Sequence, residues 1–143
     1  MGDDSSDKLS SAAESLRDAA FEAMENAYAP YSRFRVGAAL LTTDGTIVTG
    51  CNVENAAYGE ALCAERVAVA AAVAQGLKEF EEIAIASESD DPSPPCGSCR
   101  QTMSEFARDL RVTSYARNGR QATWSLSELL PEAFALNHLR GRM

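Results

Sequence analysis

RVGAALLTTDGTIVTGCNV, residues 35–53, holds two apolar-rich runs, 35–43 and 46–53, on either side of Asp44-Gly45. That dipeptide suits a tight hairpin turn, so the two runs are expected to pair as antiparallel strands. Upstream, apolar residues recur at Leu9, Ala12 or Ala13, Leu16, Ala20, Ala23 or Met24 and Ala27, the period of a helix over about 10–29 that Pro30 stops. Downstream, a second helix is expected over 62–75 with Gly76 as its stop, then a short strand over 82–87, a loop over 88–95 and a third helix from about 97 to 108. Strands over 112–117 and 121–126 enclose Asn118-Gly119, a second hairpin signal, and a connection so short forces that pair to be antiparallel. A short helix begins at Ser127 and is interrupted near Pro131. The order α-β-β-α-β-α-β-β-α predicts an α/β fold, three-layer α-β-α, around a mixed five-stranded sheet whose last two strands are antiparallel.

The chain has 143 residues, 45% of them hydrophobic, enough for one core and too few for two. With no repeat, linker or low-complexity tract, the expected organisation is a flexible acidic extension at 1–9, a single domain at 10–136 and a tail at 137–143. Thirteen basic against 21 acidic residues give a net charge of −8, which offers no counterion-release drive toward nucleic acid or an anionic membrane. The only lysines are Lys8 and Lys78 and the single histidine is His138, which excludes His-paired metalloprotease motifs and argues against a Ser-His-Asp triad or a Schiff-base lysine. The acidic N-terminus has no apolar run, so neither a signal nor a transit peptide is expected and the reading is cytoplasmic. Gly2 with Ser6 fits a loose myristoylation pattern without the basic residues that stable anchoring needs, and is read as coincidence.

The four cysteines are Cys51, Cys63, Cys96 and Cys99. Without a secretory signal, metal or redox use is favoured over a disulfide framework. Cys96-Gly97-Ser98-Cys99 has the gap of both zinc sites and thioredoxin-like pairs, and alone decides nothing. Cys63-Ala64-Glu65 adds a carboxylate in a helix that is otherwise almost wholly alanine and valine, where an unpaired charge is costly. Residues two apart do not share a helix face, so Cys63 and Glu65 converge only if Cys63 sits at the helix start. Together the two motifs resemble the zinc deaminases, in which three ligands of His/Cys/Cys or Cys₃ type accompany a glutamate that is not a ligand. Three thiolates on tetrahedral zinc leave one position open, as in catalytic sites. Their negative charge calls for compensation, which the starts of the two helices and the neighbouring Arg66 and Arg100 are expected to provide. Cys51 alternates with Asn52 along its strand and is expected to be a core thiol.

The segments YAPYSRFRVGAAL (28–40), GCNVENAAY (50–58), CAER (63–66), PCGSCRQ (95–101) and ELLPEAF (128–134) extend the likeness over nearly the whole fold. On these the chain resembles the small, homotetrameric cytidine deaminases. The resemblance implies one zinc per chain on Cys63, Cys96 and Cys99, with Glu65 as the proton shuttle. It implies a nucleoside site in which Asn52 and Glu54 hydrogen-bond the ribose, Phe34 lines the pyrimidine pocket and Ala64 adjoins the substrate. Ala56, Tyr58 and Phe134 would come from neighbouring subunits, and Arg66 would hydrogen-bond the ligand thiolates. The implied reaction is hydrolytic deamination of cytidine and deoxycytidine at C4 in pyrimidine salvage, giving uridine or deoxyuridine and ammonia. Three rivals are a deaminase of a nucleoside antibiotic such as blasticidin S, against which Asn52 and Glu54 speak; a nucleic-acid editor, against which the acidic balance speaks; and a non-catalytic zinc-bearing interaction module, which would leave Glu65 without a role.

Overall fold

The structure, a computed structural model, describes the backbone of residues 4–139 and the side chains of residues 11–139. Gly2 and the terminal residues 140–143 of the expected tail lie outside the described residues. Five strands, β1 (Val36–Thr42), β2 (Ile47–Cys51), β3 (Phe80–Ser87), β4 (Arg111–Tyr115) and β5 (Gln121–Ser125), form one sheet in the order β2-β1-β3-β4-β5. Four α-helices accompany it: α1 (Asp4–Met24), α2 (Ala64–Ala74), α3 (Gly97–Ser104) and α4 (Leu126–Leu129). Both expected hairpins are present, β1 with β2 and β4 with β5, each antiparallel. The sheet is mixed because β3, antiparallel to β1, runs parallel to β4 across the crossover that contains α3.

Strand alternation explains the layers. In β3, Ile83 and Ile85 face α2 and α3 together with Ala38 and Leu40 of β1, while Ala84 and Ala86 face α1 together with Ala39. Covered on both faces, β1 and β3 read as almost unbroken apolar runs. Leu16, Ala20 and Met24 of α1 close the second face. Two glycines let the helices approach. A Cβ on Gly37 would lie 2.0 Å from the Ala20 carbonyl oxygen of α1, and one on Gly50 would lie 2.5 Å from the Ala68 amide nitrogen of α2.

Several boundaries differ from the periodicity. Helix α1 starts at Asp4, inside the segment expected to be a flexible extension, and ends at Met24 rather than near Ala29. The early stop has a tertiary cause: after one tighter turn over 25–27, the Tyr28 amide donates to the Asn52 carbonyl and the Glu54 amide to the Tyr28 carbonyl, so Tyr28 pairs with the chain leaving β2 instead of coiling. Strand β3 begins at Phe80, whose pairing with Thr42 follows an irregularity in β1 and whose ring packs on Phe106 at 5.4 Å between centroids. Helix α3 stops at Ser104 rather than near Arg108. Short 3₁₀ turns at Tyr58–Glu60 and Leu136–Leu139 add to the expected elements. Cys51 is half-buried at the end of the edge strand β2 rather than part of the core, and burial pushes its thiol pKa up. Among the described residues no helix is long and apolar enough to cross a membrane.

Because the Gly50 contact is with helix backbone, which cannot rotate away, Gly50→Ala is expected to cost about 2 kcal/mol of folding stability. The midpoint of urea unfolding checks this.

Candidate metal centre and nucleoside cleft

Helices α2 and α3 lie on one face of the sheet, and each begins at a cysteine. Cys63 is the N-cap of α2 (φ −76°, ψ 152°) and Cys96 the N-cap of α3 (φ −68°, ψ 167°), both extended rather than helical. That conformation lets the Cys63 sulfur and the Glu65 carboxylate, two residues on, serve the same cleft. Cys99 follows in the first turn of α3, fully buried.

The three sulfurs lie within 4.8 Å of one another, with Cys63 Sγ 3.8 Å from Cys96 Sγ and the latter 3.5 Å from Cys99 Sγ. All three cysteines are free. Zinc–sulfur bonds of about 2.3 Å in a tetrahedron place sulfurs roughly 3.8 Å apart, so the trio has the chemistry and spacing for zinc with a fourth position left over. The Cys63 pKa is pushed down to about 5, by a proton from Cys99 and by Arg66, against the opposing effect of burial. Cys99 moves in the opposite direction because it is the donor to Cys63 and is itself buried. Positive helix ends act in the same sense as Arg66 on sulfur negative charge.

Arg66 brings a guanidinium nitrogen 4.0 Å from Cys63 Sγ and donates from the same nitrogen to the Ala61 carbonyl at 3.1 Å, while its buried Nε finds no partner among the described residues. Arg100, expected beside it, does not face the sulfurs. Its Nε donates to the Pro95 carbonyl at 2.8 Å and a terminal nitrogen to the Leu129 carbonyl at 2.9 Å, tying the start of α3 to the end of α4.

Glu65 is 5% exposed. Burial pushes its carboxyl pKa up, as does the Cys63 charge, while hydrogen bonds from its own backbone and from Cys99 oppose the shift. The carboxyl opens on a cleft of about 300 Å³ whose walls include Phe34, Asn52, Glu54, Cys63 and Ala64. Phe34, the pair Asn52 and Glu54, and the stretch from Cys63 to Glu65 thus share one cleft. At the mouth, Asn52 accepts from the Val36 amide at 2.8 Å and donates to the Phe34 carbonyl at 2.9 Å, bracketing the loop that carries Phe34. Glu54 accepts from the amides of Tyr31 and Ser32 and from the Ser32 hydroxyl. The Ser32 hydroxyl, followed by these amides, holds the Glu54 carboxyl pKa below its usual range.

Ala56, Tyr58 and Phe134 are not brought to this cleft within the chain. Tyr58 is 77% exposed and packs edge-on to Tyr31 over an adjoining depression, and Phe134 is 59% exposed against His138. Ala56 is exposed as well. The motifs missed Ala61, Leu62, Ile85, Ser87, Ser93 and Pro94, which also line the walls. The only signal for Ser87, Ser93 and Pro94 was position, at the end of β3 and just before Cys96.

The chain matches the family of the cytidine and deoxycytidylate deaminase zinc-binding region over residues 10–115. It is 47% identical over 116 residues to the cytidine deaminase of Halalkalibacterium halodurans, spanning 80% of this chain and 88% of that one. A crystal structure of cytidine deaminase from Burkholderia pseudomallei superposes with a TM-score of 0.82 at 48% identity, covering 85% of this chain and 98% of that one. The blasticidin-S deaminase of Bacillus cereus is more distant, 32% identical over 114 residues that span 74% of this chain and 81% of its own.

With these sulfurs as ligands, purified protein is expected to carry one zinc per chain, lost in Cys96→Ala and kept in Cys51→Ala. Elemental analysis of the two variants separates the cluster from the lone strand cysteine.

Proposed function

The chain belongs to the cytidine and deoxycytidylate deaminase family, and from that premise we propose that it hydrolyses cytidine and deoxycytidine to uridine and deoxyuridine with release of ammonia. The observation that carries the reading is a buried carboxyl, Glu65, opening beside three clustered sulfurs onto a nucleoside-sized cleft.

Cys63, Cys96 and Cys99 would hold zinc, which when bound would supply Lewis-acid activation of water near neutral pH. Glu65 does the proton work. Its carboxylate takes a proton from the attacking water and passes it to N3 of the pyrimidine as the new C4–oxygen bond forms. As the C4–nitrogen bond breaks, the carboxylate takes the proton of the new C4 hydroxyl and delivers it to the departing amine, so ammonia leaves and a carbonyl remains at C4. A carboxyl whose pKa is raised by burial is a stronger base toward water than an exposed carboxylate and still serves as a general acid once protonated. Arg66 offsets the negative charge of the sulfurs. Phe34 and Ala64 flank the base, while Asn52 and Glu54 receive the sugar hydroxyls. Glu65→Gln keeps the shape and removes the proton carrier, so the variant is expected to retain zinc and lose about 10²–10⁴-fold or more in kcat, read from the ultraviolet absorbance change of cytidine.

We also infer a homotetramer acting in the cytoplasm on free nucleosides in pyrimidine salvage. Two features support the assembly. The outward side of α2 presents Ala70 and Ala74 exposed beside half-buried Val67 and Ala71, an apolar and close-packing surface suited to a second copy of the same helix. Tyr58 and Phe134 stand exposed outside the cleft of their own chain, and with Ala56 they would complete a composite site on adjacent subunits. Light scattering at micromolar concentration should report four chains; an active monomer would overturn the composite site.

A further inference from the structure

Ser32 lies outside the walls of the main cleft, yet its side chain joins two residues that form them. Its hydroxyl donates to Glu54 Oε2 and accepts from the Phe34 amide at 3.0 Å. Its own amide and that of Tyr31 donate to Glu54 Oε1 at 3.1 and 3.0 Å. A serine serving only its turn would stop at the Phe34 amide, two residues on; this one also reaches a carboxylate at the end of another strand. The backbone between the two contacts is unusual as well. Arg33 has φ 57°, the one positive φ at a non-glycine position among the described residues. Such a conformation is costly and persists where its surroundings over-determine it.

The acceptor inventory shows the consequence. A carboxylate has about four acceptor positions, and here two on Oε1 and one on Oε2 are already filled from the 31–32 segment. The remaining position is on Oε2, and its direction is set by where the Ser32 hydroxyl sits. We propose that Ser32 is a positioning residue for substrate, its hydroxyl fixing the direction of the free acceptor of Glu54. The inference rests on the reading of Glu54 as an acceptor of a sugar hydroxyl. It makes selection for a hydroxylated sugar a property of the Ser32–Glu54 pair rather than of Glu54 alone.

Steady-state kinetics of the wild type, Ser32→Ala, Ser32→Thr, Glu54→Ala and the Ser32→Ala/Glu54→Ala double variant, on cytidine and on 2′,3′-dideoxycytidine, test it. Ser32→Ala is expected to raise KM for cytidine about ten-fold with kcat within about two-fold. On dideoxycytidine, which lacks the 2′- and 3′-hydroxyls, its KM should stay within about two-fold of wild type. Ser32→Thr keeps the hydroxyl and should restore most of the cytidine KM, and the double variant should be no worse than Glu54→Ala alone. Zinc content and Tm should not change. An unchanged cytidine KM in Ser32→Ala, an equal rise on both nucleosides, or loss of zinc would overturn the positioning role. If Glu54→Ala itself loses no more on cytidine than on dideoxycytidine, the sugar-binding reading of Glu54 falls and the Ser32 proposal with it. That outcome is distinguishable because it is seen with Ser32 intact.

Discussion

Three sulfurs from the starts of two separate helices meet within 4.8 Å of one another, and the packing around them is arranged by that convergence. Two helices aim their first residues at one point only if both lie on the same face of the sheet and neither can slide. Helix α2 is seated on β1 and β2 through Ala64, Ala68 and Ala72, its backbone pressed onto Gly50. Helix α3 is anchored by Cys99 and Met103 in the same core cluster. The small residues of α2 set the depth of contact, because a larger side chain would lift the helix and carry Cys63 away from Cys96.

Placing Cys63 at the N-cap has a second effect. Its extended backbone frees it from the helical repeat, so Glu65 can be buried in the first turn and still open on the same cleft. Burial raises the proton affinity of this carboxyl. Electrostatics and geometry are therefore set by one packing choice. The helix that carries Cys63 at its start and Glu65 in its first turn leaves Ala70 and Ala74 exposed on its outer side.

The mouth of the cleft follows another logic. Around Phe34, Asn52 and Glu54 the contacts are backbone amides and carbonyls gripped by side chains. A loop on the surface has no core to hold it, and these hydrogen bonds supply the rigidity that apolar packing supplies deeper in. Asn52 and Glu54 thus have one structural use in the chain alone and spare hydrogen-bonding capacity toward the cleft.

Local chemistry was enough to read much of this from the amino acids. Asp44-Gly45 and Asn118-Gly119 announced both hairpins, because turn residues act over a few positions. The apolar period located the helices, and the CAER and PCGSCRQ segments picked out the three cysteines and Glu65. What escaped was set by contacts between distant residues. Helix α1 ends at Met24 because Tyr28 pairs with the strand end at Asn52 and Glu54, and no pattern near Met24 records that. Arg100 resembled Arg66 as a cation beside a ligand, yet it binds the carbonyls of Pro95 and Leu129, since the direction of a long side chain depends on which acceptors the fold presents. Nothing in the residues around Ser32 points to Glu54, 22 positions away, which only folding brings within its reach. The sequence by itself determined which elements form and which residue types can do the chemistry, for those depend on neighbours along the chain. The tertiary structure decided where elements stop and which partners polar side chains take, because hydrogen bonds and burial are settled among groups that meet only once the sheet has assembled.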